Sequence, residues 1–186
     1  MKENQFVKKM LRTNAIEDEQ EEIYRFGLEC LFLKTINFLS YILIAILLAK
    51  LNEFIFIMLT FVPLRRSAGG YHAQTRIKCY FLSSVVLVMA LLMCNFTEKI
   101  SIWFIILACA NIVFLVLAPV DNENKRMGRE EKNYFKKKTR IIIVLIDVIV
   151  LVLPYVGQEV LIGSIITGVV MATFFLILGK IQEFAS

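Results

Sequence analysis

Long apolar runs, separated by short polar segments, dominate the chain. Three of them, residues 79–97, 100–118 and 160–179, contain no Asp, Glu, Lys or Arg. Runs of about 18 or more such residues are typical of helices that cross a membrane. Two further segments, 31–51 and 141–156, are long enough to cross, although each carries at least one charged residue. The pattern therefore predicts an all-α polytopic membrane protein.

A sixth apolar segment, residues 54–64, is shorter than the others. Its 11 residues would cover roughly 16 Å of a hydrocarbon core about 30 Å thick. Either the helix continues through Arg65 and Arg66, or the polar segment that follows begins at membrane depth. Both alternatives bring residues 65–79 close to the bilayer. We therefore expect about six transmembrane helices within a single membrane domain that covers residues 1–186.

Residues 1–29 precede the first apolar run and are mostly polar. Four of their apolar residues nevertheless share one face of a helix: Phe6, Val7, Met10 and Leu11. Basic residues lie beside them in the sequence. This spacing is typical of an amphipathic helix that lies on a membrane surface. We expect such a helix on the inner leaflet. A helix that caps the membrane bundle from the water side is the alternative.

Composition and charge narrow the class of protein further. Hydrophobic residues make up 58% of the chain, above the ~45–50% of ordinary globular domains. This excludes a secreted disulfide scaffold and a nucleic-acid-binding domain. If six segments cross, eighteen of the 21 Lys and Arg residues lie on one side of the membrane. Because positive charge favours the cytoplasm, we expect both termini, the segment 65–78 and a basic loop at 119–140 to be cytoplasmic.

The residues that indicate chemistry lie between positions 65 and 79. His72 is the only histidine of the chain, and Cys79 follows it by seven residues. A thiol is nucleophilic as the thiolate, which neighbouring cations favour, and a histidine can accept its proton near neutral pH. These two side chains suffice for acyl transfer from a peptide. His72 and Cys79 are therefore candidate catalytic residues.

Geometry restricts how this pair can work. On one unbroken helix, residues seven apart are separated by ~10.5 Å along the axis, whereas a hydrogen bond needs about 3 Å. We therefore expect His72 on a loop that folds back towards a helix that carries Cys79. The spacing alone leaves open the alternative of an interfacial histidine and an inert cysteine.

Two motifs resemble those of a known family, the accessory gene regulator B family, which are membrane cysteine endopeptidases of quorum sensing in Firmicutes. The first motif is Arg65-x-x-x-Gly69-Gly70-Tyr71-His72-x6-Cys79. The second begins with Ala118-Pro119 and precedes a basic segment, and it is similar to the family's alanine–proline segment. The length and the number of apolar runs agree along the whole chain. The resemblance implies that His72 and Cys79 are catalytic, and that Arg65, Gly69 and Gly70 support the site or bind substrate.

The resemblance also implies a substrate and a reaction. The substrate would be a short peptide precursor with an amphipathic leader on the membrane and an acidic C-terminal tail. Cys79 would attack the peptide bond before the tail, with His72 as base and then as acid. A cysteine or serine of the precursor would next displace Cys79 and close a thiolactone or lactone ring. Neither a metal, a cofactor nor a nucleic acid is expected.

A homodimer at the cell membrane, in contact with membrane lipid, is a further implication of the resemblance. Small residues in the segment 160–179 offer a packing face for it: Gly163, Gly168 and Ala172. Their spacing does not match the GxxxG pattern, so this support is thin.

Several charged residues leave alternatives open. Arg65 could bind a substrate carboxylate or the oxyanion, or could simply supply cytoplasmic charge. A basic cluster suits an acidic substrate tail and equally suits anionic lipid headgroups: Lys136, Lys137 and Lys138. Asp147, inside an apolar run, is either a functional residue or a buried partner of Asn37 or Lys34.

Two other classes of function compete with the endopeptidase. Six helices with charged residues inside them are also typical of a small transporter or peptide exporter. The polar residues, however, gather on one side, and no pair of broken helices at mid-depth is indicated. A non-catalytic scaffold would leave His72 and Cys79 without a role.

Overall fold

The computed structural model describes residues 21–71, 75–94, 99–120, 128–158 and 160–185. These residues form six α-helices and no strand, which confirms the predicted all-α class. In chain order the helices are α1 (Glu21–Leu47), α2 (Leu51–Ala68), α3 (Arg76–Met93), α4 (Ile100–Leu117), α5 (Arg129–Val152) and α6 (Val160–Ala185). A 3-10 helix, Leu153–Val156, follows α5 directly.

Apolar length identifies the helices that suit a membrane. Within the described ranges, four stretches are long and apolar enough to cross: Phe26–Leu47, Ile100–Leu117, Arg129–Val156 and Leu161–Phe184. Helix α3 adds a shorter apolar stretch, Ile77–Met93. The chain is therefore a membrane protein, as predicted, and the orientation of its termini stays a prediction.

Helix α2 decides between the two alternatives for the short apolar segment 54–64. It begins at Leu51 and continues through Arg65 and Arg66 to Ala68, over 18 residues. At ~1.5 Å per residue the helix is roughly 27 Å long, close to the hydrocarbon thickness of about 30 Å. Both arginines lie in its last turn, so the polar segment between α2 and α3 begins four residues later than the hydropathy pattern suggests.

The prediction of a basic loop at 119–140 does not hold from Arg129 onward, because α5 begins at that residue. Lys, Arg and Glu are good helix formers, and the acidic Glu130 and Glu131 occupy the first turn, where the helix dipole favours negative charge. Helix α1 likewise begins at Glu21, ahead of the predicted span 31–51. The amphipathic helix predicted for the first residues lies outside the described residues.

The chain divides into two compact units, Met1–Ile44 and Ala45–Ser186. The described part of the first unit is the larger part of α1. In the second unit α6 is the central helix, and it packs most extensively against α2, then against α4 and α3. In the most apolar stretch of α6, 72% of the residues are buried, against 22% in α4 and in α5. A helix that is apolar on all sides is suited to this central place.

Glycines let α6 approach its neighbours closely. A β-carbon at Gly168 would lie 2.7 Å from the Ile57 carbonyl oxygen of α2, and one at Gly163 would lie 3.2 Å from the Trp103 ring of α4. Small residues allow membrane helices to pack in this way. Gly163, Gly168 and Ala172 are therefore buried inside one chain. These residues therefore do not form the dimer face expected from the sequence. They pack α6 against other helices of the same chain.

Asp147 of α5 has a partner that neither sequence alternative named. The side-chain amide of Asn111, on α4, donates to both carboxylate oxygens of Asp147, at 2.9 and 3.0 Å. Hydrogen bonds between polar side chains stabilise neighbouring helices in a membrane. This pair holds α5 against α4, and the suggested partners Asn37 and Lys34 do not take that place.

Candidate active site

Cys79 lies in the first turn of α3, which begins at Arg76. Thr75 caps this helix: its hydroxyl oxygen accepts from the backbone N–H of Lys78 at 3.4 Å, and its carbonyl oxygen accepts from the backbone N–H of Cys79 at 3.1 Å. The N-terminal end of a helix carries partial positive charge, which stabilises a nearby anion. The thiol is half-buried. This position suits a cysteine that reacts as the thiolate.

Arg65 connects Cys79 with the loop that follows α2. Its guanidinium donates to the carbonyl oxygen of Tyr71. It lies 5.5 Å from the centre of the Phe175 ring, within the range of a cation–π contact. It also interacts electrostatically with Cys79. Arg66, its neighbour in sequence, is exposed, so only one of the two arginines belongs to the site.

The loop Gly69–Tyr71 is fixed by the central helix. The backbone N–H of Tyr71 donates to the carbonyl oxygen of Phe175, on α6, at 2.9 Å. Gly69 and Gly70 have φ angles of +75° and +131°, which favour glycine. A β-carbon at Gly70 would also lie 2.7 Å from the Phe175 carbonyl oxygen. Both the conformation and the space at this loop therefore require glycine.

Gly179 provides the matching surface on α6. A β-carbon there would lie 2.5 Å from the carbonyl carbon of Gly70 and 2.6 Å from the backbone nitrogen of Tyr71. Two backbones thus meet with no side chain between them. The residue that follows Tyr71 is His72, so Gly179 fixes the chain at the point where it leads into the histidine.

The two motifs found in the sequence meet at this loop. The backbone N–H of Val120 donates to the carbonyl oxygen of Ala68 at 3.0 Å. A β-carbon at Gly69 would lie 2.5 Å from the carbonyl oxygen of Val120. Val120 follows the cis Ala118–Pro119 bond at the end of α4. The second motif therefore supports the first through contacts separate from those of α6.

The structure brings together three of the predicted site residues, Arg65, Gly69 and Gly70. An electrostatic interaction links Arg65 to a fourth, Cys79. His72 lies outside the described residues. The three basic residues of α5, Lys136, Lys137 and Lys138, are exposed side chains on a helix.

The other cysteines occupy places of a different kind. Cys94 is 1% exposed, its thiol donates to the carbonyl oxygen of Leu91 at 3.1 Å, and it accepts from the ammonium of Lys50 at 3.6 Å. Cys109 is exposed on α4, between apolar neighbours. Cys30 lies on α1. Of the four cysteines, Cys79 is the one that lies in the first turn of a helix and interacts electrostatically with Arg65.

Sequence reasoning missed the contribution of α6, namely Phe175 and Gly179. Phe175 contacts Arg65 through its ring and Tyr71 through its backbone carbonyl. Neither role can be recognised from a phenylalanine within an apolar run. Gly179 did leave a signal, because glycine is a poor helix former and it stands in a helix directly before Lys180. That signal indicates a close approach, but it does not tell which segment approaches.

Comparisons with known proteins give a consistent result. A family profile described as Accessory gene regulator B matches residues 3–176. A putative AgrB-like protein of Listeria monocytogenes serotype 4a (strain HCC23) is 26% identical over 156 residues, which cover 79% of this chain and 76% of the relative. A putative AgrB-like protein of Clostridium perfringens (strain SM101 / Type A) is 23% identical over 167 residues, covering 83% and 78%. Protein FsrB of Enterococcus faecalis (strain ATCC 47077 / OG1RF) is 28% identical over 140 residues, covering 73% and 57%. No solved structure matches the chain.

Proposed function

Since the chain belongs to the accessory gene regulator B family, we propose that it is a membrane-embedded cysteine endopeptidase that removes the C-terminal tail of its peptide precursor. Membership of the family carries the broader role: the protein acts in quorum sensing and has a peptide precursor as its partner. The proposal adds the reaction and the residues that perform it, Cys79 and His72.

One observation carries the proposal: Cys79 lies in the first turn of α3 and interacts electrostatically with Arg65. A nucleophilic cysteine needs an environment that favours the thiolate, and the helix end and the guanidinium both supply positive potential. His72 follows the loop that Arg65 and α6 hold, seven residues before the thiol. A break in the helix precedes Cys79, so the chain between the two residues is not one continuous helix.

The first step transfers the precursor to the enzyme. His72 takes the proton of the Cys79 thiol, and the sulfur attacks the carbonyl carbon of the peptide bond before the tail. The carbon–nitrogen bond breaks, and His72 gives the proton to the departing amine. The tail leaves with a free N-terminus, and the rest of the precursor stays on Cys79 as a thioester.

The second step releases the product. A thiol of the precursor attacks the thioester carbonyl, the bond to the Cys79 sulfur breaks, and a thiolactone ring closes; a serine would give a lactone. Exchange of one thioester for another is nearly balanced in free energy, whereas conversion of an amide to a thioester is unfavourable. Removal of the tail or of the cyclic product therefore has to draw the reaction forward.

The polar extension of α5 supports recognition of the substrate in this proposal. Three exposed lysines there, Lys136, Lys137 and Lys138, would attract an acidic tail at the cytoplasmic membrane surface. The homodimer stays a prediction, because the residues first suggested for its interface pack inside one chain.

Co-expression with its peptide precursor tests the proposal. Mass spectrometry of the wild-type cells should show precursor that has lost its tail. Cys79→Ala and His72→Ala should each abolish this product at unchanged protein levels in the membrane, whereas Cys94→Ala and Cys109→Ala should retain it. Tail removal by Cys79→Ala would exclude the mechanism. Tail removal by His72→Ala would leave the nucleophile in place and exclude only the histidine.

A further inference from the structure

An apolar cavity of about 540 Å³ lies between α3, α4 and α6. Helix α3 provides half of its wall, including Leu82, Val86 and Met89, and Trp103 of α4 and Phe174 of α6 close the other sides. Among the described residues that line it, only Thr167 and Trp103 carry a polar group and none is charged. The cavity has the size of a binding site for a small molecule.

The cavity runs along the apolar part of these helices. Its wall on α3 extends from Leu82 to Met93, which is roughly 16 Å along the helix axis, or about half of a hydrocarbon core. On α6 the lining residues belong to the middle of the apolar stretch Leu161–Phe184. The cavity therefore lies at the depth of the lipid chains.

Water is a poor occupant of this space. A buried water needs two to four polar partners, and apolar cavities stay dry. The rim, in contrast, is open: Val85, Val170 and Phe174 are 45%, 39% and 42% exposed. The medium that meets such a rim at this depth is lipid hydrocarbon.

We propose that the cavity is a binding site for one hydrocarbon chain of a membrane lipid. The chain enters between α3 and α6 and packs against Trp103. The flexible side chains of Met89, Met93 and Met171 adapt to it, since methionine fills irregular apolar spaces.

The cavity lies on the same face of α3 as Cys79. Residues 79, 82, 86, 89 and 93 follow one another by three or four, so they share one face of the helix. The bound chain therefore lies on the face of α3 that carries Cys79, and begins about one turn beyond it. It supports the helix where protein side chains leave space. The proposal does not depend on the proposed endopeptidase activity.

Trp103 makes the site measurable, because it is the single tryptophan of the chain and is 7% exposed. The purified full-length protein is placed in phosphatidylcholine vesicles whose acyl chains carry bromine at mid-chain, and in matched vesicles without bromine. Bromine quenches tryptophan fluorescence on contact. The wild type should be strongly quenched in the brominated vesicles.

Variants that fill the cavity separate a chain in the site from lipid at the outer surface. Ala90, 7% exposed, and Val86 both line the cavity, so Ala90→Phe and Val86→Phe should each lose the quenching. Ile105→Phe adds the same bulk on the outer face of α4, where Ile105 is 63% exposed, and should keep it. Circular dichroism shows which variants are folded.

Three results would overturn the proposal. A wild type that bromine does not quench would show that no lipid chain reaches the cavity, whatever the variants do. Equal quenching in the wild type and in a folded Ala90→Phe or Val86→Phe would place the lipid outside. An unquenched wild type whose Val85→Cys form also cross-links to a second copy would assign the cavity to a protein partner.

Discussion

The loop Gly69–Tyr71 and the helix α3 flank the same candidate site, yet they are held in opposite ways. The loop is fixed by hydrogen bonds to Phe175 and Val120 and by backbone contact with Gly179. Helix α3 packs mainly on α6, and a cavity of about 540 Å³ lies beside it. The part of the site that leads into His72 is therefore held by protein backbone. The part that carries Cys79 lies on a helix that borders the cavity we assign to a lipid chain.

This difference fits the demands of the proposed reaction. A base has to be oriented closely relative to its nucleophile, and in the proposed reaction the contacts of Gly69–Tyr71 with α6 and Val120 would serve this purpose. A peptide also has to enter and leave, and a helix that packs against a mobile lipid chain can yield more easily than one packed on protein. The clamped loop should therefore be sensitive to single added atoms, whereas the wall of α3 should tolerate loss of side-chain volume.

Gly179→Ala should have the largest effect, because it inserts a methyl group between the two backbones. Alanine is the better helix former by about 1 kcal/mol, but overpacking costs ~1–3 kcal/mol, so the free energy of unfolding should fall slightly. Displacement of Gly70 and Tyr71 should lower precursor cleavage by about 100-fold or more. Quantitative mass spectrometry of the cleaved tail measures the change.

Gly128→Ala is the control for this substitution, because nothing lies within 4 Å of a β-carbon at Gly128. It should cleave as the wild type does. Normal cleavage by Gly179→Ala would show that the contact with α6 does not position the loop.

Arg65→Lys should have an intermediate effect. Lysine keeps the charge but loses the planar group that donates to Tyr71 while it lies over Phe175. We expect cleavage to fall by about 10- to 100-fold, mainly in kcat, with little change in protein level. The matched Arg66→Lys changes an exposed arginine and should have no effect. Equal loss in both variants would indicate a general role of charge.

A further comparison concerns stability alone, between a residue of the buried core and a residue of the cavity wall. Leu64 of α2 is 0% exposed in the hydrophobic core, so Leu64→Ala should lower the stability in detergent by ~2–5 kcal/mol. Met89→Ala removes a similar volume from the cavity wall, where Met89 is 52% exposed, and should cost less than about 1 kcal/mol. Thermal unfolding followed by circular dichroism compares the two. Equal losses would contradict the difference in packing.

Much of the fold followed from the apolar runs, and the errors have physical causes. An apolar run indicates only the part of a helix that lipid or protein covers. The sequence pattern therefore predicted a loop for the polar beginning of α5, from Arg129. Helix α2 runs past its apolar segment because Arg65 finds partners in Tyr71 and Phe175. A pattern along one segment does not contain those partners.

The candidate site divides in the same way. The local motif around Cys79 named Arg65, Gly69 and Gly70, which the structure places together, because their spacing is set by one short segment. Asn111 as the partner of Asp147, and Gly179 beneath the loop, depend on which helices are neighbours. Periodicity does not determine that arrangement, so these contacts required the three-dimensional structure.

The most direct test of the proposed mechanism is to trap the precursor on the enzyme. A precursor whose ring-closing residue is replaced by alanine cannot complete the second step, so the thioester should accumulate. Intact-mass and peptide mass spectrometry of the purified enzyme should then find the tail-less precursor attached to Cys79, removable by hydroxylamine and absent in Cys79→Ala. Tail removal without any adduct on Cys79, or an adduct on Cys94 or Cys109, would contradict the account.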